Sequence, residues 1–133
     1  MDRWTGSYGF GVALDLPYEE AVAKVREALA GEGFGILTEI DVAATFKAKL
    51  GIDFRPYKIL GACSPPIAHQ ALDAEEDMGL LLPCNVIVYA RAKGRSVVAV
   101  LDPVQQLGIS GRDDLGALAA DVRARLKRAI DAV

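Results

Sequence analysis

The chain carries few side chains suited to covalent or redox chemistry, namely two cysteines and one histidine. Cys63 ends one apolar run, Cys84 begins another, and His69 lies between them. A thiol near a helix N-terminus has its thiolate form favoured, and thiolate and imidazole both bind metals. The pattern therefore indicates thiol-based redox chemistry, or metal or haem binding through Cys63, Cys84 or His69.

A structural role for the same residues is the alternative interpretation. Free cysteine behaves as a small hydrophobic residue and is among the most frequently buried types. Cys84 lacks C-x-x-C spacing, and Cys63, Cys84 and His69 supply at most three ligands where a structural zinc site normally takes four. A site shared across a dimer would supply more. The motifs assign no catalytic residue, so they leave open whether the protein is an enzyme.

A local basic cluster offers a second type of site. Lys47, Lys49, Arg55 and Lys58 lie close together in sequence around Tyr57, in a chain whose net charge is −3. Such a cluster can hold a carboxylate or phosphate group. The alternative is a solvated helix face and strand edge. A small anionic ligand near Lys49 and Tyr57 is the functional prediction.

The element that positions the first cysteine is an apolar strand predicted over residues 57–63. Its alternate side chains, ending with Cys63, face one side, while Leu60 and Ala62 face the other. Such a strand usually has neighbours on both edges and cover on at least one face. Ser64 followed by Pro65 predicts a helix start.

The segment between the two cysteine-bearing strands, residues 64–83, predicts where the site lies. If the strands on either side of residues 64–83 are antiparallel neighbours, the chain leaves and returns at one end of the sheet. Cys63, His69 and Cys84 would then converge there, with Asn85 and Asp102 close by. Polar and nucleophilic side chains at strand ends are a plausible site arrangement.

The other elements follow from periodicity and turn residues. Strands are predicted over residues 7–14, 34–40, 57–63, 84–91 and 95–102, and helices over residues 17–30 and 42–50 and starting near residues 65 and 111. On the second strand, Phe34, Ile36, Thr38 and Ile40 are expected on one side. This order predicts an α+β fold with a mixed, largely antiparallel sheet of about five strands and helices packed mainly on one face.

The last two strands form a predicted hairpin. A two-residue turn at Lys93-Gly94 would place Tyr89 opposite Val98 and Asn85 opposite Asp102. The apolar strand over residues 95–102 would support dimerisation if it lies at a sheet edge.

The composition limits the possible partners and location. The 133 residues fit a single domain, 1–133. A net charge of −3 gives no electrostatic footprint for nucleic acid and disfavours an anionic membrane surface. The first residues lack the apolar core of a signal peptide, and the apolar runs are too short to span a bilayer. A cytoplasmic protein with reduced thiols is expected.

Several of these segments together resemble a known family. They are Gly33–Val42, Lys47-x-Lys49, Tyr57–Pro65, Leu82–Val86 and Asp102-Pro103. The combination resembles the domain of unknown function family 302 over nearly the whole chain. The resemblance implies a compact α+β domain, commonly homodimeric, in bacteria and archaea, with no settled activity. It marks as motif positions Lys49, Tyr57, Cys63, Pro65, Pro83, Cys84, Asn85 and Asp102.

Three functional hypotheses result. The first is a homodimeric small-ligand-binding module with a strand-end pocket near Cys63, His69 and Cys84, lined also by Asn85. The second is a thiol-based redox or metal- or haem-binding protein. The third is a protein-interaction domain with purely structural cysteines. The sequence identifies neither the ligand, nor a cofactor, nor the physiological partner.

Overall fold

A single antiparallel sheet of six strands organises the computed structural model, which describes residues 2–133. The strands are β1 (Asp2–Thr5), β2 (Gly9–Leu14), β3 (Gly35–Asp41), β4 (Tyr57–Cys63), β5 (Cys84–Ala90) and β6 (Ser96–Leu101). Their spatial order is β1-β2-β6-β5-β4-β3, and every pair is antiparallel. The predicted α+β class is confirmed, with one strand more than expected.

In the described part of the chain, five α-helices accompany the sheet. They are α1 (Tyr18–Gly31), α2 (Val42–Leu50), α3 (Pro65–Ala74), α4 (Pro103–Gly108) and α5 (Gly116–Asp131), with 3₁₀ turns at Glu76–Leu81 and Asp113–Leu115. The Ser64-Pro65 signal correctly marks the start of α3, although the Ser64 side chain makes no cap hydrogen bond. Within residues 2–133, none of the helices has the length and hydrophobicity needed to cross a membrane.

Helices α1 and α5 cover one side of the sheet, which we call the covered face. Its strand residues are Phe10, Val12, Leu14, Leu60, Ala62, Cys84, Val86, Val88, Val98 and Val100. They pack against the apolar stripes of both helices, including Val25 of α1 and Leu126 of α5. Since side chains alternate along a strand, the intervening residues point to the opposite side, which we call the open face.

Strand β1 was not predicted. Its Trp4 pairs with Gly11 of β2, and Gly6 N–H donates to the Gly9 carbonyl at 2.7 Å in the turn between the two strands. The strand has only four residues and includes two charged ones, as is usual at a sheet edge. Pairing with β2, more than any local pattern, defines it.

The predicted hairpin register is wrong by one residue. Tyr89 pairs with Val97, because the loop has three residues instead of two. Arg91 N–H donates to the Arg95 carbonyl at 3.2 Å, and Gly94 has a φ of 73°. A turn followed by a left-handed glycine adds one residue and shifts the pairing. The predicted Asn85–Asp102 pair is consequently absent from the register that the structure describes.

Two further expectations about the sheet are corrected. Strand β6 lies between β2 and β5, so it is not an edge; the edges are β1 and β3. Strand β3 contains a bulge, because Ile36 pairs with Ala62 whereas Thr38 pairs with Gly61. The extra residue moves Thr38 and Ile40 to the open face, away from Ile36.

Candidate functional site

The two cysteines lie at adjacent strand ends but on different faces. Cys84 pairs with Ala62, which places Cys63 one residue further along β4. Strand alternation therefore directs Cys84 into the covered face and Cys63 to the open face. The antiparallel neighbourhood of β4 and β5 agrees with the prediction, whereas the two thiols point to opposite faces of the sheet.

The buried cysteine belongs to a hydrogen-bonded structural network. Cys84 S–H donates to Gln106 Oε1 at 3.1 Å. Gln106 Nε2 in turn donates to the carbonyls of Leu81 and Pro83. Burial, with a smaller contribution from the nearby Cys63, raises the pKa of Cys84 to about 11. The arrangement favours a neutral thiol, which is a poor nucleophile.

The remaining thiol and the imidazole do not complete a metal site. His69 lies on the exposed surface of α3, and Cys63 is half-buried. Burial also raises the pKa of Cys63. In residues 2–133 no group of three or more histidine, cysteine or acidic side chains could hold a metal ion. The set of Cys63, His69 and Cys84 is therefore not assembled in this chain.

Asp102 has a structural role in the geometry. One carboxylate oxygen accepts from Val104 N–H at 2.9 Å, which caps α4. The other accepts from Arg123 Nε at 3.1 Å, and the Arg123 guanidinium lies 5.2 Å from the centre of the Phe10 ring. The buried carboxylate thus joins β6, α4 and α5, while Asn85 lies exposed on the open face.

The basic cluster is dispersed. Lys58 points to the covered face and pairs with Glu39 at 2.9 Å. Lys47 pairs with Asp53 at 3.0 Å, and Lys49 is exposed on α2. Arg55 is the member of the cluster that reaches a cavity.

A cavity of about 470 Å³ lies on the open face, and we call it the open-face cavity. The sheet surface beneath the cavity is recessed because two of the strand residues there are small, Gly9 of β2 and Ala99 of β6. Gly11, paired with Ala99, carries no side chain, and a Cβ there would lie 2.9 Å from the Trp4 ring. The glycine therefore lets the indole lie against the sheet.

Aromatic side chains form the walls of this cavity. Trp4 and Tyr8 stand on one side, and Phe54, Tyr57 and Tyr89 stand on the other. Because the sheet register pairs Tyr57 with Tyr89, their rings stack with centroids 5.3 Å apart and planes 7° apart. The Phe54 ring follows at 6.3 Å from that of Tyr57. Such walls suit a flat apolar or aromatic molecule.

The polar groups of the cavity are few. Arg55 is the charged side chain in its lining, and its guanidinium lies 5.7 Å from the centre of the Phe54 ring. Burial, and next the neighbouring Tyr89, raise the pKa of Tyr57, whereas Arg55 opposes the shift. Tyr57 is therefore a neutral hydroxyl donor near neutral pH, and Asn85 adds an amide.

Of the residues that line this cavity, the sequence patterns indicate Arg55, Tyr57 and Asn85 and leave out most of the rest. Trp4, Tyr8 and Tyr89 were not among the candidates. One signal was available: Gly9 and Gly11 alternate with large residues on β2, so one side of that strand had to be empty.

Comparisons with known proteins agree with the fold. The family model described as "Domain of unknown function DUF302" matches residues 10–133. The chain is similar to a solved structure described as the "Crystal structure of uncharacterized conserved protein DUF302 from Bacillus stearothermophilus". The two are 29% identical, with a TM-score of 0.85, over 95% of this chain and 98% of that one. No curated protein matches the chain.

Proposed function

The chain belongs to the DUF302 family, and we propose that it is a small-ligand-binding module whose site is the open-face cavity. The observation that carries the proposal is a concave, aromatic-walled surface with a single charged group, Arg55, in its lining. This site replaces the strand-end pocket near Cys63, His69 and Cys84, since none of those three lines the cavity.

Size and chemistry both support ligand binding. A volume of about 470 Å³ falls within the range of roughly 300–1,000 Å³ typical of small-molecule sites. Such sites are mostly apolar with a few well-placed polar groups that fix orientation. Here the sheet supplies rigid aromatic walls through Tyr57 and Tyr89, and Arg55 and Asn85 supply polarity.

The ligand that fits this lining is flat and anionic. A guanidinium recognises a carboxylate with two parallel hydrogen bonds, and the Tyr57 hydroxyl can donate a third. The aromatic walls favour a ring system on the other end of the molecule. The predicted anion contact near Lys49 and Tyr57 thus moves to Arg55 and Tyr57.

Thiol chemistry receives less support from the geometry. Both cysteines have raised pKa values from burial, and Cys84 already donates its S–H to Gln106. A reactive thiol needs the opposite conditions, a lowered pKa and access.

The proposal is tested with 2-naphthoate as the probe. Trp4 is the only tryptophan, so 5-fluorotryptophan labelling gives one ¹⁹F signal at the cavity wall. We expect 2-naphthoate to shift that signal with a Kd of about 1 mM or tighter, as follows from about 0.3 kcal/mol per non-hydrogen atom. Neutral 2-naphthylmethanol should bind about tenfold more weakly, because it lacks the charge-assisted hydrogen bonds.

A matched pair of variants isolates the charge. Arg55→Gln should remove the preference for naphthoate over the alcohol, whereas Arg91→Gln, in the exposed hairpin turn, should leave it intact. Absence of any ¹⁹F shift with both probes at millimolar concentration would refute the cavity as a binding site.

We also propose that the chain forms a homodimer through the β3–α2 side of the sheet. This side has an unpaired strand edge, and it exposes the large apolar side chains of Ile40, Leu50 and Ile52. Edge strands and exposed apolar groups both favour association. The same surface supports the alternative of an interaction domain with another protein.

Sedimentation separates these alternatives. A dimer at micromolar concentration that Leu50→Glu dissociates, and that Leu80→Glu at a different exposed site preserves, would support the homodimer. A monomer at all concentrations would overturn it.

A further inference from the structure

A second cavity adjoins the first, and we call it the side cavity. It has a volume of about 260 Å³ and lies between the 3₁₀ turn Glu76–Leu81 and α4. Both cavities are lined by Tyr8, Asn85 and Leu101. The two are therefore neighbouring parts of one groove, with these three residues at the junction.

The side cavity differs from the open-face cavity in chemistry. Its lining is uncharged, and its outer wall consists of leucines of the 3₁₀ turn and Ile109. Leu80 and Ile109 are 87% and 76% exposed. These two large aliphatic side chains are therefore exposed to water at the mouth of the cavity. An apolar part of a ligand that entered the cavity would cover them.

The junction is held by the main chain. Asp102 N–H donates to the Tyr8 carbonyl at 2.9 Å, while the Tyr8 side chain is 73% exposed. The backbone at the junction is thus anchored to the start of α4, and the ring stands between the two cavities.

We propose that the groove binds an elongated amphipathic molecule, an aromatic carboxylate head in the open-face cavity with an unbranched aliphatic tail in the side cavity. The proposal rests on the proposed function and extends it to the ligand class. Charge complementarity assigns the orientation: Arg55 lies at one end, and the other end has an uncharged lining in which aliphatic side chains outnumber the amides of Asn85, Gln105 and Gln106.

A homologous series of 4-alkoxybenzoates, from methoxy to dodecyloxy, tests the inference by isothermal titration calorimetry. Each methylene that enters the side cavity should raise the affinity up to about three- to fourfold, the value for full burial. The gain should stop once the cavity of about 260 Å³ is filled, so a plateau is expected within the series.

Two exposed leucines provide the variant and its control. Leu80→Ser should flatten the dependence of affinity on chain length, while 4-methoxybenzoate should keep its affinity within about twofold. Leu37→Ser, at the exposed bulge of β3 and lining neither cavity, should keep the full dependence. Because both side chains are exposed, neither substitution removes core packing.

The outcomes separate this inference from the proposed function. Binding of 4-methoxybenzoate with no gain along the series would overturn the tail site and leave the open-face site standing. A gain that persists unchanged in Leu80→Ser, or that rises without saturation, would also overturn it. If no member of the series binds, both proposals fail.

Discussion

The two faces of the sheet use the same six strands and differ in what lies against them. On the covered face, branched aliphatic residues such as Leu60 and Val88 pack against α1 and α5 with almost no exposure. On the open face, the neighbouring Ile59 and Ile87 remain half-buried, and Ile87 lines the open-face cavity. Adjacent residues on one strand thus lie in a packed interior and on an open, largely apolar surface.

The difference shows that the open face is not an ordinary solvent face. An antiparallel sheet with one free side normally alternates apolar and polar residues. Here the free side carries isoleucines, small residues and aromatic rings instead, including Ile87, Ala99 and Tyr89. Apolar surface left open in this way by residues 2–133 is typical of a site for a ligand or partner.

The largest predicted effect contrasts two neighbours on β4. Leu60 is 0% exposed, so Leu60→Ala should lower the free energy of unfolding by about 3–4 kcal/mol through lost transfer and a cavity. Ile59→Ala, on the open face, should cost about 1 kcal/mol or less because its side chain is already partly hydrated. Urea denaturation of both variants provides the measurement.

One result for Leu60→Ala and Ile59→Ala would contradict the difference between the two faces. Equal losses in the two variants would mean that the open face is packed as tightly as the covered face, for example by a second copy of the chain. Repeating the denaturation at several protein concentrations identifies that cause, because the stability of a dimer depends on concentration.

The two thiols provide the next contrast. Burial raises the pKa of Cys84 from its ordinary value near 9 to about 11, a hundredfold smaller thiolate fraction near neutral pH. Alkylation of Cys84 in a Cys63→Ala background should therefore be much slower than for an ordinary exposed thiol, because burial, the main cause of the raised pKa, persists in that background. Cys63 in a Cys84→Ala background should react faster than Cys84. Mass spectrometry of timed alkylation gives both rates.

The same shift predicts a loss of stability in alkali. The unfolded thiol loses its proton near pH 9, whereas the folded Cys84 keeps it until about pH 11. The folded state therefore binds more protons in this window, and the free energy of unfolding falls as the pH rises, by at most about 3 kcal/mol. Tyr18, whose pKa burial raises to about 12, contributes a similar decline at higher pH. The free energy of unfolding of Cys84→Ala should therefore fall less steeply between pH 9 and pH 11 than that of the unsubstituted protein. Identical pH dependences of the two proteins would contradict the assignment.

Local periodicity was sufficient to predict much of the fold. The alternation of Leu60 and Ala62 against Tyr57 and Ile59 correctly gave β4 two different faces and two neighbouring strands. The cap and proline at the start of α3 were also correct in position. These features depend on residues within a few positions of one another, which is why sequence patterns reveal them.

The candidate site depended on features that such patterns do not contain. A left-handed Gly94 lengthened the hairpin loop, and the bulge at Leu37 reversed the faces of β3. The cavity itself joins Trp4, Phe54 and Tyr89, which are distant in sequence and meet only through the sheet register. A one-residue shift in register changes the face of every side chain, so the site could not be placed from local spacing alone.

The smallest predicted effect concerns the glycine that makes room for Trp4. In Gly11→Ala the added Cβ would lie 2.5 Å from the Val98 carbonyl oxygen and 2.9 Å from the indole, so β2 must move away from β6 as well as from the ring. We expect a loss of about 2 kcal/mol, within the range for inserting a methyl group into a packed position, because the indole can tilt into the cavity whereas the Val98 carbonyl can move only with its strand. The ¹⁹F signal of fluorinated Trp4 should shift, and naphthoate should bind more weakly.

Gly35→Ala is the control, since a Cβ there meets no atom within 4 Å, and it should leave stability, signal and binding unchanged. If Gly11→Ala behaved like Gly35→Ala, Trp4 would not lie against the sheet, and the open face would lose one wall of its cavity.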